Sequence, residues 1–259
     1  MPHVRITEGR VFYTRAPGPD GGPELVLVHG AGGSRLHWPA QLRRMDGATV
    51  YSLDLPGHGR SEGPGRERIE SYVSAVVDFL DELGVPSPVV VGHSMGGAVA
   101  QELALAEPER VSALVLVGTG ARLRVDPAIL NGIRHDFGRV VDLVTEYAWS
   151  PDADPALKDT SREALRDAGP DVLLGDFLAC DRFDVMGQVG DIRLPTLLLV
   201  GSEDRLTPVK YSRFLAERIA EAELEVVERA GHMVMLEQPD AVGDAVRRFV
   251  FKGSREETS

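Results

Sequence analysis

Ser94 lies between two glycines in the stretch VVVGHSMGGAVAQELA (residues 89–104), directly after an apolar run and directly before a helix-forming run. A sharp turn from a strand into a helix needs small residues beside its apex, and Gly92 and Gly96 meet that need. The serine then lies at a helix N-terminus, where backbone N–H groups and the helix dipole stabilise developing negative charge. The pattern is typical of a catalytic nucleophile; the alternative is an ordinary glycine-rich turn.

Two later residues have the chemistry to activate this serine, which is a poor nucleophile by itself. The hydroxyl needs a histidine as base and a carboxylate to orient that histidine, and after such a turn they follow in the order acid, then histidine. His232 lies late in the chain, in AGHMVMLEQP, and Asp204 follows the apolar run of LLLVGSEDRLTP. We predict Asp204 as the acid, with Glu203 as its competitor. The alternatives are a turn or helix-cap aspartate and an exposed loop histidine.

Backbone amides must also stabilise the negative charge that an attacked ester carbonyl gathers. The amide of Met95, the residue after the serine, is the first predicted donor to this oxyanion hole. The second is the amide of Ala31 in HGAGG (residues 29–33), where glycines let the backbone approach a substrate closely. The alternative for this segment is a flexible turn.

The remaining histidines are not predicted to be catalytic. His135 lies in an amphipathic stretch and faces either the pocket or solvent, and His3 and His37 carry no signal. Bonding to loop backbone is predicted for His29, His58 and His93. Because the histidines form no spaced ligand set and Cys180 is the only cysteine, we predict no metal ion and no cofactor.

Short apolar runs lead to these residues, and helical patterns alternate with them. Continuous Val/Leu runs are typical of parallel strands buried on both faces. The runs begin at Glu24, Ala48, Ser87, Val111 and Leu194, with a further strand at LEVVE, and the helical stretches cover residues 35–45, 69–83, 95–106, 210–220 and 240–251. This alternation predicts an α/β fold. VRITEGRVFYTRA, near the N-terminus, predicts an antiparallel hairpin at the edge of the sheet.

The alternation stops between residues 120 and 191, where amphipathic helical segments replace strands: PAILNGIRHDFGRVVDLVTEYAW, ALKDTSREALRDAG and PDVLLGDFLACDRFD. We predict that residues 120–191 form a helical cap over the carboxyl edge of the sheet, and that residues 1–119 and 192–259 form the core domain. Apolar cap residues at helical spacing either wall a pocket or join the cap to the core: Ile129, Ile133, Phe137, Val140, Val144, Leu173, Leu174, Phe177 and Leu178. The polar tail KGSREETS is predicted to fray.

The composition excludes several classes of partner. Lys plus Arg total 28 against 40 Asp plus Glu, and the formal net charge of -12 repels nucleic acid. No apolar run is long enough to span a bilayer, and the N-terminal segment lacks the apolar core of a signal peptide. A single cysteine cannot form an intramolecular disulfide, which fits a reducing compartment. We therefore predict a cytoplasmic protein with a small-molecule substrate and leave its oligomeric state open.

The motifs HGAGG, DLPGHGRS, GHSMGGAVAQELA, PTLLLVGSEDRLTP and AGHMVMLEQP resemble the α/β-hydrolase superfamily in order and approximate spacing over nearly the whole chain. The resemblance implies a mostly parallel central sheet covered by helices on both faces, with a helical cap. It also implies Ser94 as nucleophile and His232 as base, and it favours Asp204 over Glu203 as acid. One matching loop has a mainly structural role in the family: Asp54, Gly57, His58, Gly59 and Ser61.

Within the superfamily, the chain most resembles small bacterial carboxylesterases. Haloalkane dehalogenases and epoxide hydrolases have an aspartate where this chain has Ser94. Carbon–carbon bond hydrolases usually have a tryptophan where it has Met233. Cofactor-free haloperoxidases usually have an aromatic residue where it has Ala31 and a phenylalanine where it has His93. We expect a serine hydrolase that cleaves carboxylic esters of short-to-medium acyl chain through an acyl-enzyme on Ser94. Lactonase and monoacylglycerol lipase are neighbouring alternatives. A ligand receptor with slow or no turnover is the alternative of another class.

Overall fold

In residues 2–252, which the computed structural model describes, eight strands form one sheet. In chain order they are β1 (His3–Ile6), β2 (Gly9–Ala16), β3 (Glu24–Val28), β4 (Thr49–Leu53), β5 (Val89–His93), β6 (Ala113–Val117), β7 (Thr196–Gly201) and β8 (Ala222–Val227). Across the sheet the order is β1-β2-β4-β3-β5-β6-β7-β8, antiparallel from β1 to β4 and parallel from β4 to β8. The predicted α/β fold is confirmed, and the predicted hairpin is β1–β2. Residues 253–259, most of the tail expected to fray, lie outside the described residues.

Helices connect the strands and cover both faces of the sheet. They are α1 (Ala40–Arg43), α2 (Ile69–Leu83), α3 (Met95–Ala106), α4 (Pro127–His135), α5 (Phe137–Ala148), α6 (Pro155–Arg182), α7 (Val209–Ala216), α8 (Val234–Glu237) and α9 (Pro239–Val250). A kink divides α6 at Gly169, whose φ of 82° is not helical, and Pro170 follows it. This kink separates the two segments that the sequence predicted there.

Two predicted helices are interrupted. The stretch 35–45 forms a short 3-10 turn, Arg35–His37, and then α1, because Pro39 restricts the residue before it to an extended conformation. The stretch beginning at residue 127 forms α4 and α5 as separate helices. Asp136 lies between them with φ -151°, and its side chain accepts a hydrogen bond from the N–H of Arg139, which caps the second helix.

The core lies in two layers because successive residues of a strand point to opposite faces. Val26 and Val90 pack on one face with α2 and α3, whereas Leu25 and Val91 pack on the other face with α1 and α9. Both faces are therefore buried, which accounts for the unbroken apolar runs.

The segment 120–191 leaves the sheet after β6 and returns before β7. Arg122 and Asp184 form an isolated antiparallel bridge near its two ends. A third apolar cluster lies within its helices and includes most of the residues that the sequence predicted as pocket walls or core contacts: Ile129, Ile133, Phe137, Val140, Val144, Leu173, Leu174 and Phe177. In residues 2–252 no helix is both long and apolar enough to cross a bilayer.

Candidate active site

Ser94 lies at the turn between β5 and α3, with φ 52° and ψ -115°, a conformation that non-glycine residues rarely adopt. Close backbone packing requires the glycines on either side of it. A Cβ on Gly92 would lie 2.2 Å from the carbonyl oxygen of Gly96, and a Cβ on Gly96 would lie 2.1 Å from that of Val28. Any side chain at these two positions would collide with backbone. The sharp turn that the sequence predicts is therefore possible only because both residues are glycine.

Asp204 follows β7 and His232 follows β8, and both lie beside the end of β6, at the same edge of the sheet as Ser94. The N–H of Ser94 donates to the carbonyl oxygen of Val117, at the end of β6, over 2.9 Å. At the next residue, Gly118, a Cβ would lie 3.3 Å from His232 Nδ1 and 3.4 Å from Asp204 Oδ2. Within residues 2–252, His232 forms no hydrogen bond to Ser94 Oγ. Such bonds are often long without substrate and shorten when it binds.

His232 and Asp204 form a buried pair, with Nδ1 of the histidine 2.9 Å from Oδ2 of the aspartate. The other carboxylate oxygen, Oδ1, accepts hydrogen bonds from the N–H groups of Leu206 and Thr207. Burial acts to raise the pKa of Asp204, but attraction to His232 and hydrogen bonds from His232 and Thr207 outweigh it, so the pKa lies below its usual value. An ionised carboxylate only accepts hydrogen bonds. A neutral His232 therefore donates from Nδ1 and keeps Nε2 free as a base.

Thr207 is a member of this cluster that sequence analysis missed. Its hydroxyl donates to Asp204 Oδ2 over 2.8 Å and lies 3.1 Å from His232 Nδ1. The one available signal was its position three residues after the predicted acid. Glu203, the competitor of Asp204, donates its backbone N–H to the carbonyl oxygen of Ala230, and within residues 2–252 its side chain forms no hydrogen bond to His232.

His93, the residue before Ser94, contacts the loop that carries His232. Its Nε2 donates to the carbonyl oxygen of His232 over 3.0 Å, and the centroids of the two imidazole rings lie 4.7 Å apart. Burial, followed by repulsion from His232, holds the pKa of His93 well below its ordinary value, so the ring is neutral. His93 thus bonds to loop backbone, as predicted, and the loop in question is that of the predicted base.

The amides of Ala31 and Met95 are available as donors. Within the part of the chain that the structure describes, neither N–H donates a hydrogen bond. The Met95 amide is the first of helix α3, where an N–H has no partner within the helix. In the other predicted loop, Gly33 N–H donates to the carbonyl oxygen of Gly30 over 3.1 Å. This bond holds the turn that contains Ala31.

The other histidines occupy different surroundings. His29 Nε2 accepts a hydrogen bond from the N–H of Leu55, which is a backbone contact of the predicted kind. His58 also contacts backbone, at the carbonyl oxygen of Pro56, but its Nε2 lies 2.8 Å from the Asp176 carboxylate of α6. His135 is exposed, so of the two alternatives it faces solvent and not the pocket.

Helix α6 packs against the glycine-rich loop beside Ser94. A Cβ on Gly32 would lie 2.7 Å from a methyl of Leu165 and 2.9 Å from a methyl of Leu173. The segment 120–191 therefore lies directly on this loop. In residues 2–252 no group of three or more His, Cys, Asp and Glu side chains is placed to hold a metal ion.

A serine at a strained strand-to-helix turn, next to a buried carboxylate–imidazole pair on a mostly parallel sheet, defines an α/β hydrolase. A family model described as the alpha/beta hydrolase family matches residues 25–245. The chain belongs to this family, which confirms the family and the fold that the sequence predicted.

Known proteins similar to this chain include esterases and a lactonase. The chain is 29% identical to the pimeloyl-(acyl-carrier protein) methyl ester esterase of Neisseria meningitidis, over 90% of this chain and 78% of that protein. It is 30% identical to 3-oxoadipate enol-lactonase 2 of Acinetobacter baylyi, over 86% of this chain and 87% of that protein. A solved structure of a thermophilic esterase is 35% identical over 97% of both chains, with a TM-score of 0.87.

Proposed function

We propose that this protein is a serine hydrolase that cleaves small, uncharged carboxylic esters through an acyl-enzyme on Ser94. The observation that carries the proposal is the buried pair of Asp204 and His232, 2.9 Å apart, at the sheet edge where Ser94 lies on its strained turn. The activities named for its relatives agree with carboxylic ester hydrolysis.

The residues act in a fixed sequence. Ser94 Oγ attacks the ester carbonyl while His232 Nε2 takes its proton, and Asp204 holds the imidazole and stabilises its positive charge. The tetrahedral oxyanion accepts hydrogen bonds from the amides of Ala31 and Met95. The alcohol leaves with the proton from His232, and water then repeats these steps on the acyl-enzyme.

The segment 120–191 acts as a cap that limits acyl length. Its apolar cluster packs on Gly32 beside the oxyanion hole, and apolar walls favour uncharged acyl groups. Each added methylene that is buried contributes up to about 0.8 kcal/mol, so kcat/KM rises with chain length until the cavity is full. The formal charge of -12 disfavours anionic substrates.

A series of straight-chain chromogenic esters from acetate to palmitate tests this proposal. We expect maximal kcat/KM at short-to-medium length and a low value for a dicarboxylic half-ester; a maximum at palmitate contradicts the substrate range. Ser94→Ala should reduce kcat by about 10⁴-fold or more, because the residues of such a site act as a unit. A wild-type protein that binds these esters without turnover would instead be a receptor.

Lactone hydrolysis is a second candidate activity. The enol-lactonase of A. baylyi is a relative, and a lactone carbonyl passes through the same tetrahedral intermediate. Lactones assayed beside the straight-chain esters separate the two activities by kcat/KM.

We also propose a cytoplasmic location, because Cys180 is the only cysteine.

A further inference from the structure

A fully buried carboxylate that contacts the oxyanion loop belongs to helix α6 and not to the predicted catalytic residues. Asp176 is 0% exposed. Its Oδ2 accepts a hydrogen bond from the backbone N–H of Gly32 over 2.7 Å and lies 2.8 Å from His58 Nε2, and its Oδ1 accepts a hydrogen bond from the Tyr72 hydroxyl. A carboxylate completely removed from water requires such partners, because an unpaired buried charge is very costly.

The geometry around His58, the histidine beside this carboxylate, shows that its ring is protonated. Its Nδ1 lies 3.0 Å from the carbonyl oxygen of Pro56 and its Nε2 lies 2.8 Å from the carboxylate, so both ring nitrogens face acceptors and both must donate. Burial acts to lower the pKa of His58, but attraction and hydrogen bonding to Asp176 outweigh it and the pKa is raised. The hydrogen bond from Gly32 N–H to Asp176 is therefore charge-assisted, which makes it stronger than a hydrogen bond between two neutral peptide groups.

This bond lies one residue from the predicted oxyanion donor. The peptide planes on both sides of Ala31 are fixed by hydrogen bonds: Gly30 C=O accepts from Gly33 N–H, and Gly32 N–H donates to Asp176. In a trans peptide the C=O and the following N–H point in opposite directions, so fixing Gly30 C=O aims the N–H of Ala31 the other way. Gly32, the third residue of this turn, has φ 60°, a conformation that glycine adopts without strain.

We propose that Asp176 is a positioning residue for the oxyanion hole: by binding the amide of Gly32, it couples helix α6 to the turn that aims the N–H of Ala31 at the substrate. The inference rests on the proposed function. It differs from a role in stability alone, because it requires Asp176 to affect the transition state more than the bound substrate.

Two substitutions of Asp176 test this at 25 °C. Asp176→Ala removes the acceptor, and we expect kcat to fall about 100-fold, the lower end of the loss for removing an oxyanion donor, with KM within threefold of the wild type. Asp176→Asn keeps a neutral acceptor and should fall about tenfold. A trifluoromethyl ketone serves as the probe of the oxyanion hole. Ser94 Oγ adds to its carbonyl carbon, the serine proton moves to His232, and the carbonyl oxygen becomes an oxyanion. The Ki of this ketone should rise by the same factors.

The control is Asp171→Asn, an exposed aspartate of the same helix, which should keep wild-type kcat and Ki. Circular dichroism and thermal unfolding establish that each variant is folded at the assay temperature. A folded Asp176→Asn protein with kcat and Ki within twofold of the wild type overturns the inference, whether or not Asp176→Ala folds. If the wild type hydrolyses no ester and binds no ketone, the proposed function itself fails. If the wild type is active, Ser94→Ala is inactive and Asp176→Asn is neutral, only the inference fails.

Discussion

Replacing Asp204 with asparagine changes one terminal atom of the carboxylate, and the structure determines which one. Oδ1 receives the N–H groups of Leu206 and Thr207 over 2.9 and 2.8 Å, so the amide oxygen of the asparagine must take this position. Its NH₂ group then occupies the place of Oδ2, 2.9 Å from His232 Nδ1. That ring nitrogen can no longer donate and has to accept, so the proton moves to Nε2.

A histidine protonated at Nε2 cannot accept the proton of Ser94. We therefore expect Asp204→Asn to reduce kcat by about 10⁴-fold, which corresponds to about 5.5 kcal/mol in the activation barrier and is the loss seen for the same change in a serine protease triad. The KM should change little, because the substrate does not need the base in order to bind.

The assay is steady-state hydrolysis of a chromogenic butyrate ester near neutral pH. Glu203→Gln is the matched control, since it neutralises the adjacent carboxylate, and it should keep kcat within about threefold. Circular dichroism checks that both variants are folded. The argument is refuted if Asp204→Asn keeps more than a tenth of the wild-type kcat, or if Glu203→Gln loses more activity than Asp204→Asn.

Three further predictions concern the surroundings of the site. Thr207→Val removes a hydroxyl donor to a buried carboxylate and should lower the free energy of unfolding by about 1.5–3 kcal/mol in urea titrations; no loss would mean that this bond is not formed. Gly96→Ala places a Cβ 2.1 Å from a carbonyl oxygen and should cost about 3 kcal/mol, whereas the control Gly138→Ala, with nothing within 4 Å, should stabilise helix α5 slightly. His58 has a raised pKa in the folded state, so its protonation stabilises the fold. We expect this stabilisation to be complete below about pH 6.5 and to decline as the pH rises through the pKa of His58 in the folded protein. It is measured as the difference in unfolding free energy between the wild type and His58→Gln. A difference that grows with pH would contradict the protonated state of His58.

Local patterns in the sequence were sufficient to predict the strands, the α/β fold and the position of Ser94. Their physical cause is also local: unbroken apolar runs have to be buried on both faces, and Gly92 and Gly96 leave the clearance that the turn after β5 requires. The helix predicted over residues 35–45 is interrupted, because Pro39 holds Trp38 in an extended conformation.

The sequence and its family resemblance favoured Asp204 over Glu203, but the contacts between these side chains exist only in the tertiary structure. Glu203 and Asp204 are neighbours with the same chemistry, and which of them faces His232 depends on the direction of the chain after β7. The bond from Gly32 to Asp176 joins residues 144 positions apart in the sequence. No local pattern encodes such a contact, since it exists only when helix α6 packs on the loop after β3 and both groups leave water together.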